Sequence, residues 1–213
     1  MKLLGISVGQ PRKVQWQKRE ILTSIFKSPI SGPVQVKRLN IEGDHQADLN
    51  VHGGVDKAVY AYSHDTYPWW QKELGLADLP FGALGENLTF DQLDETQIFV
   101  GDVFELGSCR LQAVQPRAPC FKLGIRYNDQ KIIQTFTDFN RSGIYFRVIQ
   151  EGIIQPGNTL KLVASETIKA SIGELFNFMK DRNSVSKARA AELVKISGLN
   201  ERMRKKFESM SQE

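Results

Sequence analysis

Short apolar or alternating runs follow one another over the first 166 residues, and Gly, Pro, Asp and Asn separate them. Alternation with a period of two is typical of half-buried strands, and the separating residues favour turns. The runs with this pattern are KLLGISVG, VQVKRLNI, AVYAYS, QIFVGDVFELG and CRLQAVQ. Many short strands with few helices are typical of barrel-like β folds. The pattern therefore predicts a mainly β domain with some α, built as a β-barrel-like sheet.

Two helices are expected to interrupt these strands. The first covers residues 63–74, SHDTYPWWQKEL, with Ser63 as its cap and with Trp69 and Leu74 facing inward. The second covers residues 130–143, QKIIQTFTDFNRSG.

The pattern changes near residue 167, where apolar residues begin to recur three or four positions apart. This period predicts three short helices, of which the second begins at Ser184 or Ser186 and ends at Gly198. The apolar positions of the first and third helices are Ile168, Ile172, Leu175, Phe176 and Met179, and Leu199, Met203, Phe207 and Met210. We therefore predict a β-barrel domain over residues 1–165 and a three-helix module over residues 166–213.

Charge changes at the same place. Residues 1–166 carry 18 basic and 18 acidic side chains, whereas residues 167–213 carry 10 basic and 6 acidic ones, so the module holds the whole net charge of +4. An excess of four charges is small for nucleic-acid binding, which we do not expect. We expect the module to pack on the barrel, to meet a redox partner or to mediate formation of a homodimer.

The composition is that of a globular protein, with 41% apolar and 24% charged residues. No apolar run has the length of a membrane span, and the apolar stretch at the start is too short for a secretory signal. Two cysteines do not make a disulfide framework. We therefore expect a cytoplasmic protein that does not enter a membrane.

Three familiar catalytic patterns fit poorly or only weakly. GISVG around Ser7 matches G-x-S-x-G, but a nucleophile elbow needs a helix straight after the serine, and QPRK follows instead. The spacings of the three histidines and two cysteines match no closed zinc site. A cysteine hydrolase would need a histidine beside Cys120 in space, which leaves that class open as a weaker alternative.

Cys120 lies in the stretch VQPRAPCFKL. Pro116 and Pro119 restrict the backbone, so the loop is predicted to be stiff. Arg117 and Lys122 would favour the thiolate, which is a good ligand for soft or high-valent metals. The surroundings of Cys120 therefore indicate a functional thiol, whereas Cys109 in an alternating run is expected to be buried and inert.

Three further stretches are rich in candidate binding groups. In residues 41–63, Gly53 and Gly54 allow close approach of the backbone to a ligand, and Lys57 could balance a phosphate. Asn87 follows Glu86 in FGALGENLTF, and Tyr145 and Arg147 lie two residues apart on one face of a predicted strand.

The order of these pieces resembles the signature of MOSC domains, the family named after the C-terminal domain of molybdenum-cofactor sulfurase. The matching pieces are GDHQADLNVHGGVDKAVYAY, GENL, GDVFELG and LQAVQPRAPCFKL. The chain is most similar to stand-alone YiiM-type members, whose MOSC domain is followed by a three-helix module. The resemblance implies a β-barrel-like fold and a molybdenum cofactor, molybdopterin, whose metal is held by Cys120 as protein ligand and catalytic residue.

The resemblance and the residue chemistry together suggest a binding set for this cofactor. Lys57, Arg117 and Arg147 are candidates for its phosphate, Asn87 for the pterin edge, and Tyr145 for the cofactor or substrate. The complete cofactor-binding set comprises His52, Gly53, Gly54, Lys57, Asn87, Arg117, Tyr145 and Arg147.

The resemblance also implies an activity. YiiM-type proteins are associated with detoxification of N-hydroxylated compounds such as 6-hydroxylaminopurine, which they reduce to the amine. The sequence has no flavin, haem or iron–sulfur motif, so a separate reductase would supply the electrons. We therefore expect a molybdenum-dependent oxidoreductase. The alternative is a non-enzymatic carrier that passes on the molybdenum cofactor or its sulfur.

Overall fold

The structure, a computed structural model, describes residues 1–49 and 53–212. Its main element is an eight-stranded sheet. The strands are β1 (Leu3–Val8), β4 (Ser28–Ile30), β7 (Val59–Ser63), β8 (Leu88–Phe90), β9 (Val103–Leu106), β10 (Cys109–Pro116), β11 (Ile144–Gln150) and β13 (Lys161–Ala164). They lie in the order β13-β9-β10-β11-β7-β8-β1-β4. All neighbours are antiparallel except β7 and β8.

Two smaller sheets flank the main one. β2 (Arg12–Trp16) and β3 (Arg19–Thr23) form a hairpin. A three-stranded sheet combines β12 (Gly152–Ile154), β5 (Val34–Lys37) and β6 (Asn40–Ile41).

The main sheet curls so that the two ends of its strand order approach each other near the start of the chain. The Leu3 amide donates to the Asn158 carbonyl at 2.9 Å, and the Leu160 amide donates to the Met1 carbonyl at 2.9 Å. These bonds place the segment before β13 beside β1, although the described strands do not close into a barrel. The mainly β fold class with helices is thus confirmed, in the form of a curled sheet around an apolar core.

The three predicted C-terminal helices are present as α4 (Ile172–Lys180), α5 (Lys187–Leu193) and α6 (Glu201–Gln212). The Ser186 hydroxyl accepts from the Arg189 amide at 3.2 Å, so Ser186 and not Ser184 caps α5. This helix ends at Leu193, before the predicted Gly198. Leu175, Phe178 and Phe207 belong to the same apolar cluster as the sheet. The module therefore shares the core of the sheet, and the boundary at residue 165 stays a prediction.

Helix α1 (Tyr67–Leu74) confirms the first predicted helix, but its details differ from the prediction. The Ser63 hydroxyl accepts from the Leu93 amide at 2.7 Å and caps nothing. Trp70 is fully buried, whereas Trp69 is 36% exposed. Trp69 stacks on Phe139, at 3.7 Å between ring centroids. The expectations for Ser63 and Trp69 were wrong because the tertiary neighbours, and not the local pattern, decide which of two adjacent tryptophans points inward.

Two other helices surround the candidate site. Helix α3 (Ile132–Phe139) confirms the second predicted helix. Helix α2 (Phe121–Tyr127) begins directly after Cys120 and was not predicted, because it has only seven residues and a proline-rich approach. No helix in the described ranges is long and apolar enough to cross a membrane.

Candidate functional site

An open cleft runs between β7, β11 and the segments that follow β3 and β10. Six separate segments of the chain contribute to its walls. The lining residues named below are Ser24, Ile25, Lys27, Asp44, Lys57, Tyr60, Asn87, Arg117, Cys120, Lys122 and Tyr145. Five of the nine predicted site residues are thus brought together: Lys57, Asn87, Arg117, Cys120 and Tyr145.

Cys120 lines this cleft with a partly exposed side chain. Its backbone is extended, with φ −125° and ψ 149°, and its carbonyl accepts from the Leu123 amide at 2.8 Å at the start of α2. Cys109 is fully buried and donates from Sγ to the Leu106 carbonyl at 3.0 Å. Burial raises the pKa of Cys109 to about 12, so that thiol stays protonated, as expected for an inert cysteine.

Arg117 is held firmly at the bottom of the cleft, where it is only 5% exposed. Its guanidinium carbon lies 4.9 Å from the centroid of the Tyr60 ring and 5.3 Å from that of Phe136. One of its nitrogens also donates to the Leu84 carbonyl. Cation–π contacts of this kind fix a guanidinium without neutralising it, so Arg117 can still attract an anion.

Tyr60 and Tyr145 stand side by side in this wall, with ring centroids 5.1 Å apart. The Tyr60 hydroxyl donates to the Ser142 carbonyl at 2.9 Å. Burial raises the pKa of both phenols, so both stay neutral over the physiological pH range. Tyr145 can therefore offer a neutral hydrogen-bonding group to a molecule in the cleft.

Lys57 lies at the end of a one-turn 3-10 helix, Val55–Lys57, on the rim of the cleft. Burial lowers the pKa of Lys57, and the nearby charge of Arg202 lowers it further. Gly54 precedes this turn with φ 93°, a conformation that favours glycine. Gly53 and Gly54 shape the turn but do not line the cleft, and His52 lies outside the described residues.

Arg147 is bound by other side chains near the cleft. Its guanidinium contacts the Asp56 carboxylate at 2.5 and 2.8 Å and the Gln112 side-chain oxygen at 3.0 Å. It does not line the cleft. In this structure Arg147 therefore supports the turn that carries Lys57, and its predicted contact with the cofactor stays a prediction.

Asn87 lines the cleft, but its amide is already used within the protein. Its side-chain oxygen accepts from the Tyr60 amide at 3.1 Å, and its nitrogen donates to the Ser7 carbonyl at 3.2 Å. These bonds connect β7, β8 and β1. The neighbouring Glu86 is fully buried and accepts from the Gly82 and Leu84 amides at 2.8 and 2.9 Å. Glu86 and Asn87 of the GENL stretch thus stabilise the wall of the cleft through hydrogen bonds within the protein.

Sequence reasoning missed a buried ion pair in the wall of the cleft, between Lys27 and Asp44. The Lys27 ammonium lies 2.5 Å from the Asp44 carboxylate, which also accepts from the Gly9 amide at 2.7 Å. Burial lowers the pKa of Lys27, and Asp44 partly offsets this effect. Nothing in the local sequence marks Lys27, because its partner is 17 positions away.

The structure does not place Ser7 in a nucleophile elbow. Ser7 is fully buried within β1, and the β2–β3 hairpin follows where an elbow would need a helix. Among residues 1–49 and 53–212, no group of three His, Cys, Asp or Glu side chains could hold a metal ion.

The chain belongs to the MOSC domain family, because the model of that family, described as the MOSC domain, matches residues 48–161. The resemblance seen in the sequence is thereby confirmed.

Its relatives include YiiM proteins. Protein YiiM of Escherichia coli (strain K12) is 35% identical over 144 residues, which cover 67% of this chain and 64% of that protein. A solved structure of YiiM from Geobacillus stearothermophilus has a TM-score of 0.80 and 29% identity, and covers 98% of both chains.

Two other curated proteins are similar. The uncharacterized protein YflK of Bacillus subtilis (strain 168) is 39% identical over 162 residues, or 76% of this chain and 73% of that protein. A protein of Gibberella moniliformis (strain M3125 / FGSC 7600) named "Reductase" is 32% identical over 169 residues. That match covers 77% of this chain but only 30% of the larger protein.

Proposed function

We propose that this protein binds a molybdenum cofactor of the molybdopterin type through Cys120 and reduces N-hydroxylated compounds, such as 6-hydroxylaminopurine, to the amine. The observation that carries the proposal is the shared cleft, in which the partly exposed Cys120 thiol lies together with Lys57, Arg117 and Tyr145. The similarity to a protein named "Reductase" supports an oxidoreductase.

The residues of the cleft fit such a cofactor. The described residues offer no cluster of three protein ligands, so a metal at Cys120 would need further ligands from a cofactor with its own donor atoms. Molybdopterin has two sulfur donor atoms and an anionic phosphate. Lys57 and Arg117 supply positive charge for the phosphate, and Cys120 supplies a third, soft sulfur ligand.

The protein's own contribution is binding and orientation. When bound, the metal supplies two-electron redox chemistry. Arg117 holds charge at the bottom of the cleft, Tyr145 donates a hydrogen bond from a neutral phenol, and Ile25 and Tyr60 exclude water. Reduction of R–NH–OH to R–NH2 and water consumes two electrons and two protons. A separate reductase would deliver the electrons.

The test is elemental analysis of protein purified from a host that makes the cofactor. We expect one molybdenum and one pterin per chain, lost in Cys120→Ser and retained in the buried-cysteine control Cys109→Ala. Wild-type protein that never takes up cofactor yet reduces a hydroxylamine would contradict the proposal.

A carrier would bind the same cofactor without turnover. Chemically reduced, cofactor-loaded protein should convert one equivalent of 6-hydroxylaminopurine to adenine in a single turnover. Loaded protein that leaves the substrate unchanged but transfers its cofactor to an acceptor enzyme would favour the carrier.

A further inference from the structure

A groove in the three-helix module is lined by positive charge. Its three cations are Arg182, Lys187 and Lys206, which come from the turn after α4, the start of α5 and the second half of α6. No carboxylate lies among the described residues that line this groove. The walls of the groove therefore do not balance its charge.

Arg202 extends this charge from the groove towards the cleft. It is exposed and lies one helical turn before Lys206 on α6. Burial lowers the pKa of Lys206, and the nearby charges of Arg202 and Arg182 lower it further. The charge of Arg202 also lowers the pKa of Lys57 on the rim of the cleft. The resulting cationic strip comprises Lys57, Arg202, Lys206, Arg182 and Lys187.

Hydrogen bonds hold α6 beside the turn that carries Lys57. The Asn200 side-chain nitrogen donates to the Gln115 side chain at 3.2 Å, and Gln115 donates to the Asp56 carbonyl at 3.1 Å. Asp56 directly precedes Lys57 in the chain. The cationic strip therefore runs from the module to the rim of the cleft that contains Cys120.

The ion pairs within the helices of the module lie outside this strip. Arg189 pairs with Glu174 and Glu192 at 2.7 and 2.9 Å. Lys205 pairs with Glu201 at 3.5 Å. The members of the strip that form no ion pair with a described residue are Arg182, Lys187, Arg202 and Lys206. Their charge is thus available to a partner molecule.

The groove favours a protein over a nucleic acid as this partner. Phe178 and Val185 form its buried apolar floor, and Met210 lies half-buried beside them. An apolar centre with a polar rim is typical of protein–protein interfaces, whereas nucleic acids are held through many phosphate contacts. An acidic protein surface is the electrostatic complement of the strip.

We propose that the cationic strip is the docking surface for an acidic electron-carrier protein. Its identification as the electron donor rests on the proposed function, in which a separate reductase delivers two electrons. The carrier is oxidised by two electrons in total for each hydroxylamine reduced, and the two protons come from water. Electron-transfer complexes have small interfaces, and a strip of like charges steers such a partner to the rim of the cleft.

The test measures binding of the full chain to a flavodoxin and to a plant-type ferredoxin, both small acidic electron carriers, by biolayer interferometry at low ionic strength. We expect at least one carrier to bind. The double variant Arg182→Glu/Arg202→Glu should bind it at least about tenfold more weakly, because like charges then face each other.

The matched control is Lys18→Glu/Lys161→Glu, which changes the net charge by the same amount. Both lysines are exposed and line neither the groove nor the cleft. This control should bind the carrier as wild type does. Circular dichroism checks that both double variants are folded.

Failure of both carriers to bind wild type, or equal affinity of wild type and Arg182→Glu/Arg202→Glu, would overturn the docking surface. An equal loss of binding in the control would also overturn it, since the effect would then follow net charge and not the strip. If duplex DNA binds through the strip and neither carrier does, the strip is a nucleic-acid site instead.

The choice of reductant separates this proposal from the proposed function. With dithionite, cofactor-loaded wild type and Arg182→Glu/Arg202→Glu should reduce a hydroxylamine equally fast. With limiting carrier, the variant should be at least about tenfold slower. Carrier binding through the strip by protein that takes up no molybdenum would keep the docking surface and remove the proposed function. Dithionite-driven turnover without any effect of the strip on either carrier would do the reverse.

Discussion

The ammonium of Lys27 and the carboxylate of Asp44 form an ion pair at 2.5 Å, with side chains that are 9% and 1% exposed. The pair joins the segment after β3 to the segment after β6, and the Gly9 amide adds a hydrogen bond to the same carboxylate oxygen. Two segments that form one wall of the cleft are thus held together by one buried charge pair.

Asp44→Ala should destabilise the protein by about 3–5 kcal/mol, since it leaves Lys27 buried and unpaired. The measurement is urea unfolding followed by circular dichroism. The double variant Lys27→Met with Asp44→Ala should recover part of the loss, because it removes the stranded charge. A double variant that is as unstable as the sum of both single variants would show that the pair does not act as a unit.

Glu86→Ala should destabilise the protein by about 2–4 kcal/mol, because several donors lose their shared acceptor. Two of these are the Gly82 and Leu84 amides, at 2.8 and 2.9 Å. The Leu84 carbonyl accepts from Arg117, so the change should also lower cofactor content. Glu73→Ala on the exposed side of α1 is the control and should stay within ~0.5 kcal/mol of wild type. Equal stability of the two variants would argue against this role for Glu86.

Asn200 connects the three-helix module to the cleft, and two substitutions at this position can separate the effects of its two hydrogen bonds. Its oxygen caps α6 by accepting from the Met203 amide at 2.9 Å, and its nitrogen donates to the Gln115 side chain at 3.2 Å. Gln115 in turn donates to the Asp56 carbonyl at 3.1 Å, beside Lys57. Asn200→Ala should cost about 1–2 kcal/mol in urea unfolding, whereas Asn200→Asp keeps the cap and loses only the bridge. If Asn200→Ala and Asn200→Asp lose the same stability, the hydrogen bond to Gln115 accounts for the whole effect.

The thiol of Cys109 should contribute a stability that depends on pH. Its pKa is raised from 9.0 to about 12 by burial, so the folded state keeps a proton that the unfolded state releases. This contribution is complete below pH 9 and is lost as pH rises towards 12. The stability advantage of wild type over Cys109→Ala should therefore shrink above pH 9, by up to about 1.4 kcal/mol per pH unit. A constant difference across that range would show that the buried thiol is not responsible.

Much of the fold follows from local pattern. The five apolar or alternating runs became strands β1, β5, β7, β9 and β10. A period of two places one face of β5 and β9 in the core, whereas β7 is buried at every position. The C-terminal helices formed where apolar residues recur at a helical period, and Leu199, Met203 and Phe207 are buried as predicted. The hairpin β2–β3 and the short helix α2 were missed, since neither has a strong period.

The sequence by itself determined the family and singled out Cys120 as the candidate functional thiol. The matching stretches are continuous in the chain, and the flanking prolines act locally. Only the tertiary structure decided which polar groups share the cleft. Lys27, Asp44, Ser24 and Lys122 come from segments that meet through the sheet topology, which no local pattern encodes. The same packing directs the Asn87 amide to the neighbouring strands and Arg147 to Asp56. The physical reason is that a buried polar group takes whichever partner the fold brings within hydrogen-bond distance.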